Sequence, residues 1–234
     1  MHFVDSDLRA RLHAARLVFM DCDGVIFDSN GFKCRAMERV LSDYSETLRQ
    51  QIAAYWRNNG GMSRRVKFEY FFRELVQSSD WQSLTDLAVA RFGGYSLEGF
   101  LDVEPAPLAL VFARHVGRER LVVVSGADQA ELAQVFHRKQ LNSLFPEVLG
   151  APIKKQQLVE NVLAYRGLGP DAAVLIGDGA RDFEVCQRLG MHFVYLHEYS
   201  EWDGAALALA DAPDVSWANR WSEVLVAAGF ADDG

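Results

Sequence analysis

The sequence has few cysteines, no long apolar run and no excess of basic residues, and each of these shortages excludes a class of protein. Its three cysteines, Cys22, Cys34 and Cys186, are too few and too scattered for a disulfide framework or a zinc knot. No apolar run approaches the roughly 18 residues that a membrane-spanning helix needs. The net charge of -8, from 24 basic and 32 acidic residues, is opposite in sign to a surface that binds nucleic acid. We therefore expect neither a membrane nor a nucleic acid as a partner.

The remaining composition is that of a globular protein. Hydrophobic residues make up 50% of the chain and charged residues 24%, so there is enough apolar side chain to bury a core. The length of 234 residues fits one large domain or one domain with an insertion. The opening stretch MHFVDSDLRARLHAAR carries acids and bases where a signal peptide needs an apolar stretch. These features predict a protein of the cytoplasm whose thiols are free.

Short apolar runs with the character of buried parallel strands recur along the chain. They are LVFM at 17–20, LVVV at 121–124, AAVLI at 172–176 and HFVYL at 192–196. Such brief runs without charged residues are typical of strands buried on both faces of a parallel sheet. Between and after them lie helical patterns over 128–139, 155–166 and 180–189, then a short strand near 214–215 and a helix over 219–228. The alternation predicts a Rossmann-like, doubly wound α/β fold.

The alternation stops between residues 31 and 104, where only helical patterns occur. This stretch contains turn signals at 58–61, 78–80 and 93–94. They divide it into roughly four helices. We therefore predict an α/β domain formed by residues 1–30 and 105–234, with a helical subdomain of residues 31–104 inserted into it.

Polar residues follow three of the predicted strands at the point where each strand ends. They are Asp21-Cys22-Asp23-Gly24, Ser125-Gly126 and Gly177-Asp178-Gly179-Ala180-Arg181-Asp182. In an open α/β sheet, ligands bind in the crevice outside the carboxyl ends of the strands. Four carboxylates gathered there would repel one another, so the pattern indicates a bound cation. Ligands that are all oxygen favour a hard ion, Mg²⁺ before Zn²⁺.

These residues resemble the motifs of the haloacid dehalogenase-like hydrolase superfamily. Four stretches match its four motifs in the family's order: DCDGVIFDS from Asp21 to Ser29, which is similar to DxDG[VT]hhDS; Ser125 at a strand end; Lys155 at a helix start; and GDGARD from Gly177 to Asp182, which is similar to GDxxxD. The first and fourth motifs are the specific ones. The resemblance implies an α/β core and, for residues 31–104, a type-one helical cap that closes over the site and selects the substrate.

The resemblance also implies a catalytic role for several of these residues. Asp21 would attack phosphorus and form an aspartyl-phosphate. Asp23 would protonate the leaving oxygen and then take a proton from the attacking water. Ser125 and Lys155 would hold the phosphoryl oxygens and stabilise charge in the transition state, with Lys154 as the alternative lysine.

A metal site and substrate-binding residues complete the expected site. Mg²⁺ would be held by Asp21, the backbone carbonyl of Asp23, Asp178 and Asp182, the last directly or through water. Gly126, next to Ser125, is a candidate for binding the phosphoryl group. Arg64 lies at a glycine turn that enters a helix and is the first candidate for an anionic group of the substrate. The alternative for Arg64 is a solvated helix start.

The implied activity is that of a Mg²⁺-dependent phosphatase whose partner is a small phosphorylated metabolite. Relatives that cleave carbon–halogen or phosphonate bonds lack the acid that this chain has at Asp23. A sugar-phosphate mutase shares every motif and stays open as an alternative. A non-catalytic binding protein on the same fold is less favoured, because a protein without activity need not keep all the acids. The sequence leaves the metabolite and the oligomeric state open.

Overall fold

A single parallel sheet organises the part of the chain that the structure describes, residues 6–230 of a computed structural model. Its strands are β1 (Leu17–Met20), β2 (Leu121–Asp128), β3 (Val148–Ala151), β4 (Ala173–Gly177), β5 (His192–Leu196) and β6 (Val215–Ala218). All neighbouring strands pair in parallel, in the order β3-β2-β1-β4-β5-β6. The chain winds outward from β1 in both directions, which confirms the predicted Rossmann-like α/β fold.

Helices connect these strands and fill the long interval between the first two. They are α1 (Ser6–Ala14), α2 (Asn30–Val40), α3 (Glu46–Asn58), α4 (Arg64–Tyr70), α5 (Trp81–Asp102), α6 (Pro107–Val116), α7 (Gln129–Arg138), α8 (Lys155–Arg166), α9 (Ala180–Leu189), α10 (Ala205–Leu209) and α11 (Trp221–Ala227). A π-helical turn, Phe71–Leu75, extends α4. Helices α8 and α9 begin and end where the sequence predicts. Each stops at a glycine in the left-handed conformation, Gly167 and Gly190.

The sheet is buried between two apolar layers. In β1, Val18 and Met20 pack into one layer, and Leu17 and Phe19 pack into the other. Successive side chains of a strand point to opposite faces, so a strand covered on both sides must be apolar at every position. This is why β1, β4 and β5 read as uninterrupted apolar runs, and why the sequence identified them.

The sequence analysis did not predict strand β3 or helices α1, α6 and α10. Strand β3 lies at an edge of the sheet, is only partly buried and contains Gly150, so it lacks the apolar run of a central strand. Helix α1 buries only Leu8 and Leu12 against the rest of the protein. An apolar pair at that spacing is too short a pattern to distinguish a helix from a loop.

The turn predicted at 93–94 was wrong, because α5 runs through both glycines from Trp81 to Asp102. A glycine inside a helix costs about 1 kcal/mol relative to alanine. Here the buried face of α5, which includes Phe92 and Phe100, offsets that cost through packing. Gly99 on the same helix is needed for close approach, since a Cβ there would overlap the ring of Phe32.

The segment from α2 to α5 has an apolar core of its own. Its buried aromatic residues are Trp56, Phe68, Phe71, Phe72 and Phe92. At the two ends of the segment, Phe32 and Phe100 pack instead into a layer of the sheet, with their rings in edge contact at 5.1 Å. We call residues 30–102 the helical insertion. Across residues 6–230, no helix has the combined length and apolarity needed to traverse a lipid bilayer.

Candidate active site

Three carboxylates from distant parts of the chain meet at the carboxyl ends of β1 and β4. Asp21 directly follows β1, Asp178 directly follows β4, and Asp182 lies in the first turn of α9. One oxygen of each lies within 4.8 Å of the others, and all three side chains are buried. The two strands are hydrogen-bonded neighbours, so their ends lie side by side at one edge of the sheet.

Lys155 lies within this cluster and links two of its acids. Its Nζ is 2.8 Å from Asp21 Oδ1 and 2.5 Å from Asp182 Oδ1. Burial lowers the pKa of Lys155, but Asp182 and Asp21 outweigh this and raise it above the ordinary value of a lysine. The neighbouring Lys154 is exposed and precedes α8. Of the two lysines that the sequence left open, the structure brings Lys155 to the acids.

The charges of the cluster are not balanced among the described residues, since Lys155 supplies one positive charge against three carboxylates. Burial and then repulsion from Asp182 raise the pKa of Asp21 to about 7, although Lys155 acts in the opposite direction. Burial, Asp21 and Asp182 raise the pKa of Asp178 well above its ordinary value. Within residues 6–230, Asp21 Oδ2 is buried without a hydrogen-bond partner. A set of oxygen ligands with one orphaned carboxylate oxygen fits a hard divalent cation.

Asp23 belongs to a second ion pair at the same end of β1. Its Oδ1 accepts a hydrogen bond from the hydroxyl of Ser29 and lies 2.6 Å from the Nζ of Lys33. Burial raises the pKa of Asp23, but the charge of Lys33 and the two hydrogen bonds outweigh it, so the pKa is below its ordinary value. Lys33 and Ser29 therefore favour the carboxylate form of Asp23 in the absence of a substrate. Cys22, between the two acids in sequence, packs into an apolar layer of the sheet.

The glycine after Asp23 is required by its surroundings. Gly24 has a φ of +71, and a Cβ at that position would overlap the carboxylate of Asp178. A side chain is disfavoured both by the left-handed backbone and by the space that the acid occupies. The glycine of the first motif therefore brings the loop after β1 close to the loop after β4.

The end of β2 brings Ser125 and Gly126 against the helical insertion. Ser125 is fully buried, and its hydroxyl accepts a hydrogen bond from the amide of Ala127 at 3.0 Å. A Cβ on Gly126 would overlap the carbonyl of Gly61, in the turn between α3 and α4. In the same turn, a Cβ on Gly61 would lie 3.6 Å from the Nζ of Lys155. This turn of the insertion therefore lies directly over the strand ends.

Arg64, the sequence's candidate for an anionic group, has a carboxylate partner on α7. Its Nη1 donates to Glu131 Oε2 at 2.5 Å, and the hydroxyl of Ser96 donates to the other oxygen of Glu131 at 3.0 Å. The structure thus places Arg64 at the cleft, with its charge balanced by a residue that the sequence analysis missed. Sequence could have indicated Glu131, because it is an acid four residues before Val135 and so lies on the apolar face of α7.

An open cleft lies between the strand ends and the insertion. Its lining includes Asp23, Gly126, Glu131 and Asp178 from the α/β part, and Asn30, Lys33, Trp56, Arg64, Lys67 and Phe92 from the insertion. The amide of Asn30 donates to Asp178 Oδ2 at 2.9 Å and to the carbonyl of Tyr199 at 3.0 Å. The cleft therefore has carboxylates at one end and most of its cations on the insertion.

Sequence analysis missed Asn30, Lys33 and Lys67. Lys33 is four residues after Ser29, so the two side chains lie on one side of the chain as it enters α2, and this spacing was a usable signal. Lys67 lies three residues after Arg64 on the same helix, α4. Its side chain is buried beside Trp56 of α3, and the sequence pattern alone did not reveal that.

The fold and the site agree with the family comparison. The family model described as haloacid dehalogenase-like hydrolase matches residues 18–196, and the chain belongs to this family of hydrolases. That match spans the sheet from β1 to β5 and includes every acid of the cluster. No curated protein matches the chain.

Several solved structures share this fold at low sequence identity. A haloacid dehalogenase-like family hydrolase from Streptococcus pneumoniae superposes with a TM-score of 0.68 at 16% identity, covering 92% of this chain and 98% of that one. A predicted phosphoglycolate phosphatase from Haemophilus somnus gives 0.69 at 15% identity, with 91% and 97% covered. A predicted phosphatase from Clostridium acetobutylicum gives 0.66 at 14%, with 87% and 94% covered. Identities this low establish likeness of fold.

Proposed function

We propose that this hydrolase is a Mg²⁺-dependent phosphatase that acts on a small phosphorylated metabolite through an aspartyl-phosphate. The observation that carries the proposal is the environment of Asp21. Its carboxylate is buried, belongs to the cluster of three acids, and has one oxygen without a hydrogen-bond partner in the described chain. Its other oxygen contacts the ammonium group of Lys155. A nucleophile and its charge-stabilising partner are thus already in contact. The solved structures of similar fold include proteins described as phosphatases.

In the first half of the reaction, a carboxylate oxygen of Asp21 forms a bond to phosphorus while the bond to the leaving alcohol breaks. Asp23 enters this step protonated, gives its proton to the alcohol, and regains a proton in the second half. In the second half, a water oxygen attacks phosphorus, the bond to Asp21 breaks, and Asp23 takes the proton of the water. Ser29 and Lys33 hold Asp23 as the carboxylate that this second step needs. Ser125 and Lys155 stabilise the charge on the phosphoryl oxygens.

The residues that would hold Mg²⁺ are Asp21, Asp178 and the backbone carbonyl of Asp23. Asp182 would act through water, because Oδ1 of its carboxylate contacts Lys155 and Oδ2 accepts from the amide of Gly179. When bound, the metal supplies positive charge that offsets the repulsion between an anionic nucleophile and an anionic phosphate.

Hydrolysis of p-nitrophenyl phosphate tests this proposal. We expect release of nitrophenol with Mg²⁺ present, complete loss of turnover after chelation, and recovery when Mg²⁺ is restored. Mg²⁺ should also raise the melting temperature, and by more at pH 8 than at pH 6, because protons compete with the metal for a carboxylate whose pKa is raised to about 7. Turnover that is unaffected by chelation would contradict the requirement for a metal ion. Absence of turnover with every phosphate ester would contradict the proposed phosphatase activity.

The helical insertion would serve as the cap of the α/β core, with residues 31–104 closing over the cleft. Its separate aromatic core allows it to move as a unit. The Arg64–Glu131 pair and the contact between Gly61 and Gly126 join it to the core. Closure of this kind excludes water and completes a site.

Gly126→Ala should impair closure, because the added Cβ overlaps the carbonyl of Gly61. We expect kcat/KM to fall on the order of 10-fold to 100-fold, since small displacements in a closed site have effects of that size. The matched control is Gly94→Ala, which meets nothing within 4 Å and removes a glycine from the interior of α5. Normal kcat/KM in Gly126→Ala would show that closure does not depend on this contact.

A further inference from the structure

Lys67 is a buried lysine of the helical insertion that no part of the proposed phosphoryl chemistry uses. Its side chain borders the cleft and is only 5% exposed. Its Nζ donates one hydrogen bond, to the carbonyl of Trp56 at 3.2 Å, and lies 4.5 Å from the centre of the Trp56 ring. Within residues 6–230 it forms no ion pair with a carboxylate. Two of the three donors of the ammonium group therefore remain for a ligand.

The surroundings of Lys67 disfavour its charge when the cleft holds no anion. Burial, and then repulsion by Lys33, lower the pKa of Lys67 to about 7, although Cys34, Asp23 and Asp178 act in the opposite direction. Lysines are almost never buried unless an anion accompanies them, because removing the ammonium group from water is costly. An anion that entered the cleft beside Lys67 would supply the missing charge.

The other cations of the cleft do not need such a ligand. Lys33 is paired with Asp23, and Arg64 is paired with Glu131. Arg57 also borders the cleft, but its side chain is exposed to water. Lys67 thus combines burial with the lack of a carboxylate partner among the cleft-lining cations of the described chain.

We propose that Lys67 binds a carboxylate on the leaving group of the substrate, so that the substrate class is the phosphate monoesters of small hydroxy acids. This inference rests on the proposed phosphatase function, which places the phosphoryl group beside Asp21, at the strand ends. The leaving group then extends into the cleft toward α4. One ammonium group balances the single charge of a carboxylate. A second phosphate would bring two charges, and the other buried cations of the cleft, Lys33 and Arg64, already have carboxylate partners.

The test compares esters that differ in the carboxylate alone. The pairs are phosphoglycolate with 2-hydroxyethyl phosphate, and 3-phosphoglycerate with glycerol 3-phosphate. In the wild-type protein we expect kcat/KM for the acid to exceed that for the alcohol by about tenfold or more in at least one pair, the effect of one charge-assisted hydrogen bond in a buried site. Equal kcat/KM within both pairs would overturn the inference without any variant.

Lys67→Met assigns the preference to this side chain. Methionine has a similar length and no charge, so the core around Phe68 and Trp56 can stay packed. We expect the preference for the acid to disappear, mainly through a higher KM, while the alcohol ester is hydrolysed as before. Arg65→Met is the matched control, because it removes a cation from the same helix at a half-exposed site paired with Asp86. An equal loss on both esters in Lys67→Met would mean a structural role and would overturn the inference.

A binding measurement separates this inference from the proposed function. Asp21→Asn cannot form the aspartyl-phosphate, so the dissociation constants of all four esters can be measured on it, with and without Lys67→Met. Tighter binding of the acids that disappears with Lys67→Met supports the carboxylate site even where no hydrolysis occurs. If wild-type protein hydrolyses p-nitrophenyl phosphate but Asp21→Asn binds acids and alcohols equally, the carboxylate site is wrong and the phosphatase stands.

Discussion

Asp21→Asn should abolish turnover while leaving the protein folded and at least as stable. The amide has the shape of the carboxylate but is not a nucleophile, so we expect kcat to fall by about three orders of magnitude or more. Burial raises the pKa of Asp21 to about 7, and Asp182 adds to the shift. A carboxyl group whose pKa is raised in the folded state makes the fold less stable as the pH rises from the unfolded pKa to the folded pKa, and the full loss is present above the folded pKa. At pH 8 without metal, the Asp21→Asn variant should therefore have a melting temperature equal to or higher than that of the wild-type protein.

Two measurements check this prediction together, namely kcat with saturating Mg²⁺ and the melting temperature after chelation. Asp211→Asn is the matched control, because it replaces an exposed acid by the same amide and should change neither quantity. Mass spectrometry of acid-quenched wild-type protein should show one added phosphoryl group that is absent from Asp21→Asn. Substantial turnover by Asp21→Asn would rule out the aspartyl-phosphate.

Lys155→Met should have the second-largest effect, on both activity and stability. The ammonium group contacts Asp21 and Asp182 and is the cation within the buried cluster of acids. Removing one partner of a buried ion pair costs about 3–5 kcal/mol, because the remaining charges are left uncompensated. The loss of a charge that stabilises the transition state should lower kcat by about 10²-fold to 10³-fold.

The dependence of this loss on pH and metal distinguishes electrostatics from packing. Below pH 7 the acids take up protons more readily, so Lys155→Met should lose less stability at pH 6 than at pH 8. Mg²⁺ should raise the melting temperature of the variant by more than that of the wild type, since it supplies positive charge to the same oxygens. The control is Lys154→Met, which removes the adjacent exposed lysine. A larger loss of activity in Lys154→Met than in Lys155→Met would reverse the assignment of the two lysines.

Sequence periodicity was most informative where burial is complete. Strands β1, β4 and β5 are buried at every residue, and each was found within a residue of its ends. Edge strand β3 and helix α1 were missed because partial burial leaves an incomplete pattern. At Gly93 and Gly94 the local preference for a turn was overridden by tertiary packing of α5. A preference of about 1 kcal/mol per residue cannot outweigh a buried aromatic face.

The same distinction holds for the site. Asp21, Asp178, Asp182 and Lys155 could be chosen from sequence because each follows a strand or begins a helix, and parallel strands end at one edge of the sheet. The partners contributed by the insertion could not be chosen in this way. Whether Arg64 faces an anionic ligand or Glu131, and whether Lys67 is exposed or buried, depends on how the insertion packs against α7 and on its own core.

By itself, the sequence determined the α/β fold, the family and the acids at the strand ends, because a buried strand is a run of consecutive apolar residues and the acids directly follow such runs. Only the tertiary structure decided which cations have a carboxylate partner and that Lys67 is buried at the cleft without one among residues 6–230. Those pairings join residues from separate elements, such as Arg64 with Glu131 and Lys33 with Asp23. Their energies depend on distance and burial, and neither quantity can be read from spacing along the chain.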